Sequence, residues 1–225
     1  MTGAVTAPRP LPLPDPATPM GFLVRRASLQ KLWHSVGGAT DDPAVLVERL
    51  MGNEKQVDAV RCVAVSVPAR QAIWWAWVSA RHVVNAEPAA HTAEQEARLH
   101  LLGLVEEWIT APQDAKRRDA WDAAQALGLD HPVALAAAAV WFSGGSIAPV
   151  GAAMAVQAPP GMAANFVTAA VCGACLPGDP KLLPDRWRGT VAQGLEIITR
   201  LGGWPISLKY ARQEFEGHTA TPGAA

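Results

Sequence analysis

The chain has little of the material from which sheets and disulfide frameworks are built. Its 225 residues include one Tyr, four Phe and three Cys. A small, odd number of cysteines does not make a disulfide framework in a chain of this size, so we expect a reducing, cytoplasmic environment. The chain is rich in alanine, which is the best helix former and a poor strand former. The composition therefore predicts an all-α protein.

Charge is missing from one long segment, because residues 131–178 contain no Asp, Glu, Lys or Arg. We expect other helices to cover this segment, which makes it the centre of the core. Its apolar runs of about 10 and 16 residues fall short of the roughly 20 that a spanning helix needs. Pro149, Pro159 and Pro160 also interrupt them, so no membrane insertion is expected. The net charge of −1 gives no general preference for nucleic acid.

No secretory signal is expected, since the first twenty residues are rich in proline instead of being continuously apolar. Residues 1–40 are predicted to form a proline-rich arm with a possible short helix. Residues 1–20 of this arm are expected to be mobile, and Leu11 and Leu13 could enter a groove on a partner, although a plain linker is the favoured interpretation. Residues 42–202 are predicted to form one helical domain, and residues 203–225 a C-terminal tail with a disordered end.

Proline starts and glycine stops indicate most of the helices. Asp41 and Asp42 precede Pro43 as N-cap candidates, and Thr92 with Gln95 forms a capping-box candidate. The predicted starts are Pro43, Pro68, Thr92, Pro112, Pro132, Pro160 and Pro184. Because their spacing is irregular, we predict a helical bundle or a stacked helical array and not a strict repeat. The helix after Pro112 is expected to turn Lys116, Arg117 and Arg118 towards solvent.

The helix predicted for residues 68–84 carries most of the candidate structural residues. Trp74, Trp77 and Arg81 recur at helical spacing and are expected to share a buried face. We predict that Arg81 is a structural hub whose guanidinium satisfies helix ends, and that Trp74→Ala costs about 3–5 kcal/mol. Trp75 is expected to point away from this face. Trp75 and Trp204, outside the clean apolar stripes, are therefore the candidate exposed anchors for a partner, together with Leu11 and Leu13.

Two motifs invite a chemical interpretation. Cys172 and Cys175 form a CxxC, but they lie late in an apolar helix, whereas a redox CxxC usually lies at a helix N-terminus. We interpret them as buried packing residues. The Ser143–Ser146 loop, Ser-Gly-Gly-Ser, resembles an anion-binding nest, but it follows a helix and lacks a phosphate-binding lysine, so a turn is favoured. No catalytic, cofactor-binding or metal-binding residues are predicted. An enzyme or small-ligand site near Arg81 and this loop remains the alternative.

Two segments carry a family resemblance. They are Pro68–Arg81 (PARQAIWWAWVSAR) and Trp141–Pro149 (WFSGGSIAP), followed by a helix start at Pro159 and Pro160. They resemble a family of uncharacterised bacterial helical proteins that is sometimes found beside type VI secretion genes, over about residues 42–202. The resemblance brings no catalytic residues. It implies a cytoplasmic accessory protein that binds a protein partner, such as a component of the secretion apparatus or an effector.

Overall fold

The computed structural model describes residues 12–38, 40–88 and 92–220, and it confirms the all-α class. The α-helices in chain order are α1 (Pro19–Arg26), α2 (Pro43–Gly52), α3 (Gln56–Ser66), α4 (Ala69–Ala86), α5 (Ala93–Thr110), α6 (Asp114–Leu127), α7 (Pro132–Trp141), α8 (Met162–Cys175), α9 (Leu183–Arg200) and α10 (Trp204–Ala220). A π-helical turn at Trp33–Gly37 follows α1, and a 3-10 turn at Pro180–Leu182 precedes α9. The described ranges contain no strand, and their β-type pairing is an isolated antiparallel bridge between Ser146 and Gln157.

Capping chemistry explains where several helices begin. The Asp42 carboxylate accepts a hydrogen bond from the backbone N–H of Ala44 at 2.8 Å, and the Thr92 hydroxyl accepts one from the N–H of Gln95 at 3.2 Å. These side chains satisfy backbone donors that have no partner inside the first turn of a helix. Of the two acidic candidates, Asp42 is the N-cap of α2, and Thr92 is confirmed as the N-cap of α5.

Helix α7 is the centre of the core, as predicted. Apart from Leu135, its residues are buried, and it packs against α4, α5, α6 and α8. Its alanines have side chains short enough for neighbouring helices to approach closely. The prediction is wrong for the middle of the uncharged segment, because residues 149–157 are exposed on the surface. No helix within the described ranges combines the length and hydropathy that a bilayer crossing requires.

The helical body extends beyond residues 42–202 at both ends. Helix α1 buries Met20 and Leu23, and α10 occupies a range where a tail was predicted. The preceding arm also contacts the body, since the Trp33 indole N–H donates to the carbonyl of Pro12 at 3.1 Å, and Arg212 donates to carbonyls of residues 16 and 17. The expectation of an undocked arm is therefore wrong for residues 12–18. Residues 1–11 and 221–225 lie outside the described residues.

The burial of the two adjacent tryptophans of α4 is the reverse of what the sequence predicted. Trp75 is 1% exposed, whereas Trp74 is 42% exposed. Helix α9 explains the burial of Trp75, because a Cβ atom at Gly194 would lie 2.9 Å from the Trp75 ring and 2.6 Å from Val63. The absence of a side chain at residue 194 lets α9 approach α4 closely, and the indole of Trp75 fills the space between them.

Candidate functional site

The 143–161 loop, which joins α7 to α8, has a fixed base. The Ser146 hydroxyl accepts hydrogen bonds from the backbone N–H groups of Ala148 at 3.1 Å and Val156 at 3.0 Å. The N–H of Ile147 donates to the Val156 carbonyl at 2.8 Å. One serine side chain therefore ties the two branches of the loop together, and the predicted turn after α7 is confirmed.

Arg117 of α6 anchors this base from inside the protein. It is 3% exposed, and its Nη1 and Nη2 groups donate to the carbonyls of Trp141 at 2.8 Å and Ser146 at 2.7 Å. Its Nε donates to the carboxylate of Asp114 at 2.9 Å, and the guanidinium lies 4.3 Å from the centre of the Trp141 ring. Charge-assisted hydrogen bonds of this kind are stronger than neutral ones. The end of α7 and the start of the loop are thus fixed to α6.

A second arginine completes the anchor. Arg118 donates to the other Asp114 carboxylate oxygen at 2.8 Å and to the carbonyl of Ala148 at 3.1 Å. Hydrogen bonds from Arg118 and then from Arg117 hold the pKa of Asp114 below its ordinary value. At Gly145, with φ of +68°, a Cβ atom would lie 3.1 Å from Arg117 Nη2, so the loop backbone closes directly on the guanidinium. We call these two arginines and Asp114 the loop anchor.

The tip of the loop, residues 149–157, is apolar and exposed. Val150 is 83% exposed and Met154 is 78% exposed, and Val156 is also exposed. No residue between 131 and 178 carries a formal charge, so the tip has no charged side chain. Exposed apolar groups that are concentrated on one feature are typical of contact surfaces. The loop anchor holds this apolar tip on the surface of the protein.

A cleft lies at the other end of the same loop, between α1, α3, α4, α8 and α10. The space between its walls, including the part that is open to solvent, is about 640 Å³, and most of its wall is apolar. Lining residues include Val65, Ala72, Phe142, Pro160, Ala164 and Phe215. Its polar groups include the guanidinium of Arg26, the carboxylate of Glu214 and the hydroxyl of Ser143. We call it the Arg26 cleft.

The residues that were predicted to contact a partner differ in their exposure. Trp75 is buried, so the expectation that it meets a partner is wrong. Trp204 is partly buried against the core, while Leu13 is exposed. Leu11 lies outside the described residues. Trp74, which was predicted to be buried, is the exposed indole of the pair and lies beside Glu196 and Arg200 of α9 in a surface groove.

The prediction that Arg81 is a buried structural hub is also wrong. Arg81 is exposed, and its guanidinium lies 5.1 Å from the centre of the Trp77 ring. Trp77 is buried as predicted, and its indole N–H donates to the Leu102 carbonyl at 3.0 Å. Arg81 lies nine residues, or about 14 Å along α4, beyond Ala72, which lines the Arg26 cleft. The structure therefore does not bring Arg81 together with the Ser143–Ser146 loop.

Arg117 takes the role that was predicted for Arg81, and the expectation that it points to solvent is wrong. One signal in the sequence could have found it. Arg117, Ala120 and Ala124 follow each other at intervals of three and four residues, and all three are buried. Residues at this spacing share one face of a helix. The arginine thus lies on the inward stripe of α6, where it reaches backbone carbonyls that the sequence pattern does not reveal.

The cysteine pair has the environment that was predicted for it. Cys175 is buried, Cys172 is partly buried, and both lie in the last turn of α8. Burial raises the pKa of both thiols, that of Cys172 to about 12. Because the thiolate is the reactive and metal-binding form, these thiols are poor nucleophiles and poor ligands at neutral pH. No group of three or more potential metal ligands occurs in the described part of the chain.

A family model matches residues 46–198, which is more than half of the chain. The chain belongs to DUF6931, a family of unknown function. The match lies inside the range of the sequence resemblance, and it confirms an uncharacterised family. No curated protein and no solved structure matches the chain. The loop anchor, the loop tip and much of the cleft wall lie inside the matched range, whereas the two charged residues of the Arg26 cleft, Arg26 and Glu214, lie outside it.

Proposed function

We propose that this member of the DUF6931 family is a non-enzymatic interaction protein that uses the loop tip to bind a protein partner. The observation that supports the proposal is the exposure of Val150 and Met154 on a loop whose base is fixed by hydrogen bonds to Arg117 and to the Ser146 hydroxyl. A surface that is already ordered loses little conformational entropy on binding. The loop anchor therefore favours binding as well as folding.

The chemistry of the tip indicates what kind of partner fits it. A tip without charged side chains offers no group for an ion pair, so the complementary surface is apolar and its affinity comes from burial of Val150, Met154 and Val156. Methionine is unbranched and adapts its shape to irregular surfaces. A folded protein with a shallow apolar depression matches these properties.

In its sharper form, the proposal is that the protein acts in the bacterial cytoplasm as an adaptor or accessory component of a type VI secretion system. The resemblance of Pro68–Arg81 and Trp141–Pro149 to proteins found beside type VI secretion genes supports this form. The partner is then a component of the secretion apparatus or an effector.

The test is affinity capture from the native cell, followed by direct binding to the purified partner. A double variant, Val150→Ser with Met154→Ser, removes the apolar tip and leaves the loop anchor unchanged. Leu99→Ser is the matched control, because Leu99 is an exposed apolar residue of α5, outside the loop. We expect the native protein and Leu99→Ser to capture a sheath, baseplate or effector component, and the double variant to lose it.

Two results would count against the proposal. Capture of the same partner with unchanged affinity by the double variant would show that the tip is not the contact surface. Capture of metabolic enzymes, without any secretion component, would contradict the secretion role while leaving the tip as a candidate contact surface.

A further inference from the structure

Arg26, near the end of α1, is a partly buried cation for which the described residues supply no oppositely charged partner. Its Nε is buried and has no hydrogen-bond partner among the described residues, and no ion pair of that part of the chain includes it. Burial lowers the pKa of Arg26, because the charged form is removed from water. Buried polar groups normally have partners, so a buried donor without one is unusual in a folded protein.

The guanidinium of Arg26 is nevertheless held in a defined position. It lies 4.0 Å from the centre of the Phe215 ring, against one of its faces. On another side is the backbone of Gly161, where φ is +86° and a Cβ atom would lie 2.9 Å from Nη1. Glycine adopts this left-handed backbone conformation readily, and because it has no Cβ atom it leaves room for the guanidinium. The loop and α10 thus orient the donors of Arg26 at the wall of the cleft.

The other charged group of the cleft is already engaged. A carboxylate oxygen of Glu214 accepts a hydrogen bond from the backbone N–H of Ala69 at 2.8 Å, at the start of α4. This contact places a negative charge at the positive end of the helix dipole, where it is stabilised. Glu214 therefore serves as a cap for α4, and the remaining walls of the cleft are mostly apolar.

We propose that the Arg26 cleft binds a small organic carboxylate whose remaining part is apolar. A planar guanidinium can donate two parallel hydrogen bonds to a carboxylate, and the carboxylate supplies acceptors that no described residue offers at this position. The apolar body of the ligand packs between Ala72, Ala164 and Phe215.

The proposal can be tested with 8-anilinonaphthalene-1-sulfonate, an aromatic anion whose fluorescence increases in apolar sites. We expect it to bind the native protein and to be displaced by 4-phenylbutyrate, but much less by the neutral 4-phenylbutanol. Arg26→Met keeps the length of the side chain and removes its charge and donors. We expect this change to weaken binding of the dye and of 4-phenylbutyrate by about tenfold or more.

Three control variants distinguish binding in the cleft from binding elsewhere on the protein. Arg25→Met removes a neighbouring exposed charge of α1 and should leave the affinity unchanged. The double variant Val150→Ser with Met154→Ser should also bind normally, since the loop tip does not line the cleft. Ala163→Trp fills the cleft without removing a charge and should abolish binding. It provides the test if Arg26→Met does not fold, which circular dichroism and thermal melting will show.

Several outcomes would overturn the proposal. They are an absence of dye binding to the native protein, equal affinity in folded Arg26→Met, and equal displacement by the alcohol and the acid. Unchanged dye binding in folded Ala163→Trp would also overturn it. Because the loop-tip variant is measured in the same series, failure of this site is distinguished from failure of the protein-binding surface.

Discussion

Replacement of Arg117 by methionine measures how strongly the loop anchor holds the 143–161 loop. Methionine preserves most of the aliphatic length of the side chain but has no hydrogen-bond donor. The variant leaves the Trp141 carbonyl without its bond at 2.8 Å. The Ser146 carbonyl keeps a donor, because Arg118 Nη2 lies 3.2 Å from it. Asp114 keeps Arg118 and is more than half exposed to water.

These contacts set the expected magnitude. One charge-assisted hydrogen bond contributes about 1.5–3 kcal/mol, and the stacking of the guanidinium on the Trp141 ring contributes about 1 kcal/mol. The losses at Ser146 and Asp114 are smaller, because Arg118 and water compensate for them. We therefore expect Arg117→Met to reduce the free energy of unfolding by about 3 kcal/mol, which is a large part of the stability of a typical domain.

The assay is urea unfolding followed by circular dichroism, with the slope of the transition compared between variants. Arg188→Met is the matched control, since the Arg188 side chain is 70% exposed and pairs with Asp185 on the same helix. Such exposed pairs contribute about 0–1 kcal/mol. A second readout is cleavage by thermolysin, which cuts before large apolar residues. Thermolysin should cleave before Val150 and Met154 faster in Arg117→Met than in the native protein, because the loop is then held less firmly.

If Arg117→Met reduced the free energy of unfolding by less than about 1 kcal/mol, as is expected for the exposed control, this reasoning would be refuted. It would mean that the carbonyls of Trp141 and Ser146 are satisfied without the guanidinium. A large loss of stability with unchanged cleavage of the loop tip would contradict the second part, since the anchor would then stabilise α6 and α7 without ordering the loop.

The remaining predictions concern α4 and α7. Trp75→Ala should reduce the free energy of unfolding by about 3–5 kcal/mol and the exposed Trp74→Ala by about 1 kcal/mol or less, in the same urea titration, and equal losses would contradict this order. Burial lowers the pKa of His131, whose Nδ1 accepts from the Val133 N–H while Nε2 lies 3.2 Å from Glu87, so stability should be complete above about pH 6.5 and fall below it. Unfolding midpoints between about pH 5 and 8 should show this fall in the native protein but not in His131→Asn, and equal pH dependence would exclude His131 as the cause.

Most helices of this fold could be predicted because their starts carry local chemical signals. Pro43 and Pro132 occupy the first positions of α2 and α7, and Thr92 caps α5. Helix α3 has no such signal. Lys55 stands at its N-cap position without a side-chain hydrogen bond, and Glu54 before it has a φ of +57°. The helix is fixed by burial of its apolar residues against neighbouring helices, which a local pattern does not reveal.

The exchange between Trp74 and Trp75 shows a different limit of sequence patterns. Consecutive residues of a helix differ by about 100° around its axis, and α4 contacts α5, α7, α8 and α9. Its buried surface is therefore wider than a single stripe, and both tryptophans are compatible with the pattern. The choice between them depends on where α9 approaches, which is determined by Gly194, more than a hundred residues later in the chain.

The burial of charged residues is the last feature that the sequence pattern does not predict, and Arg117 and Arg26 are examples. The sequence predicts solvent exposure for a basic residue in a charged cluster, because burial of a guanidinium is unfavourable without acceptors. Arg117 meets those acceptors in the carbonyls of Trp141 and Ser146, which the turn after α7 brings to α6. Arg26 is stacked on Phe215 but meets no such oxygen in the described chain, so its burial does not have the same compensation. An arginine thus stabilises the fold at position 117. At position 26 it leaves donors available for an acceptor that comes from outside the described chain.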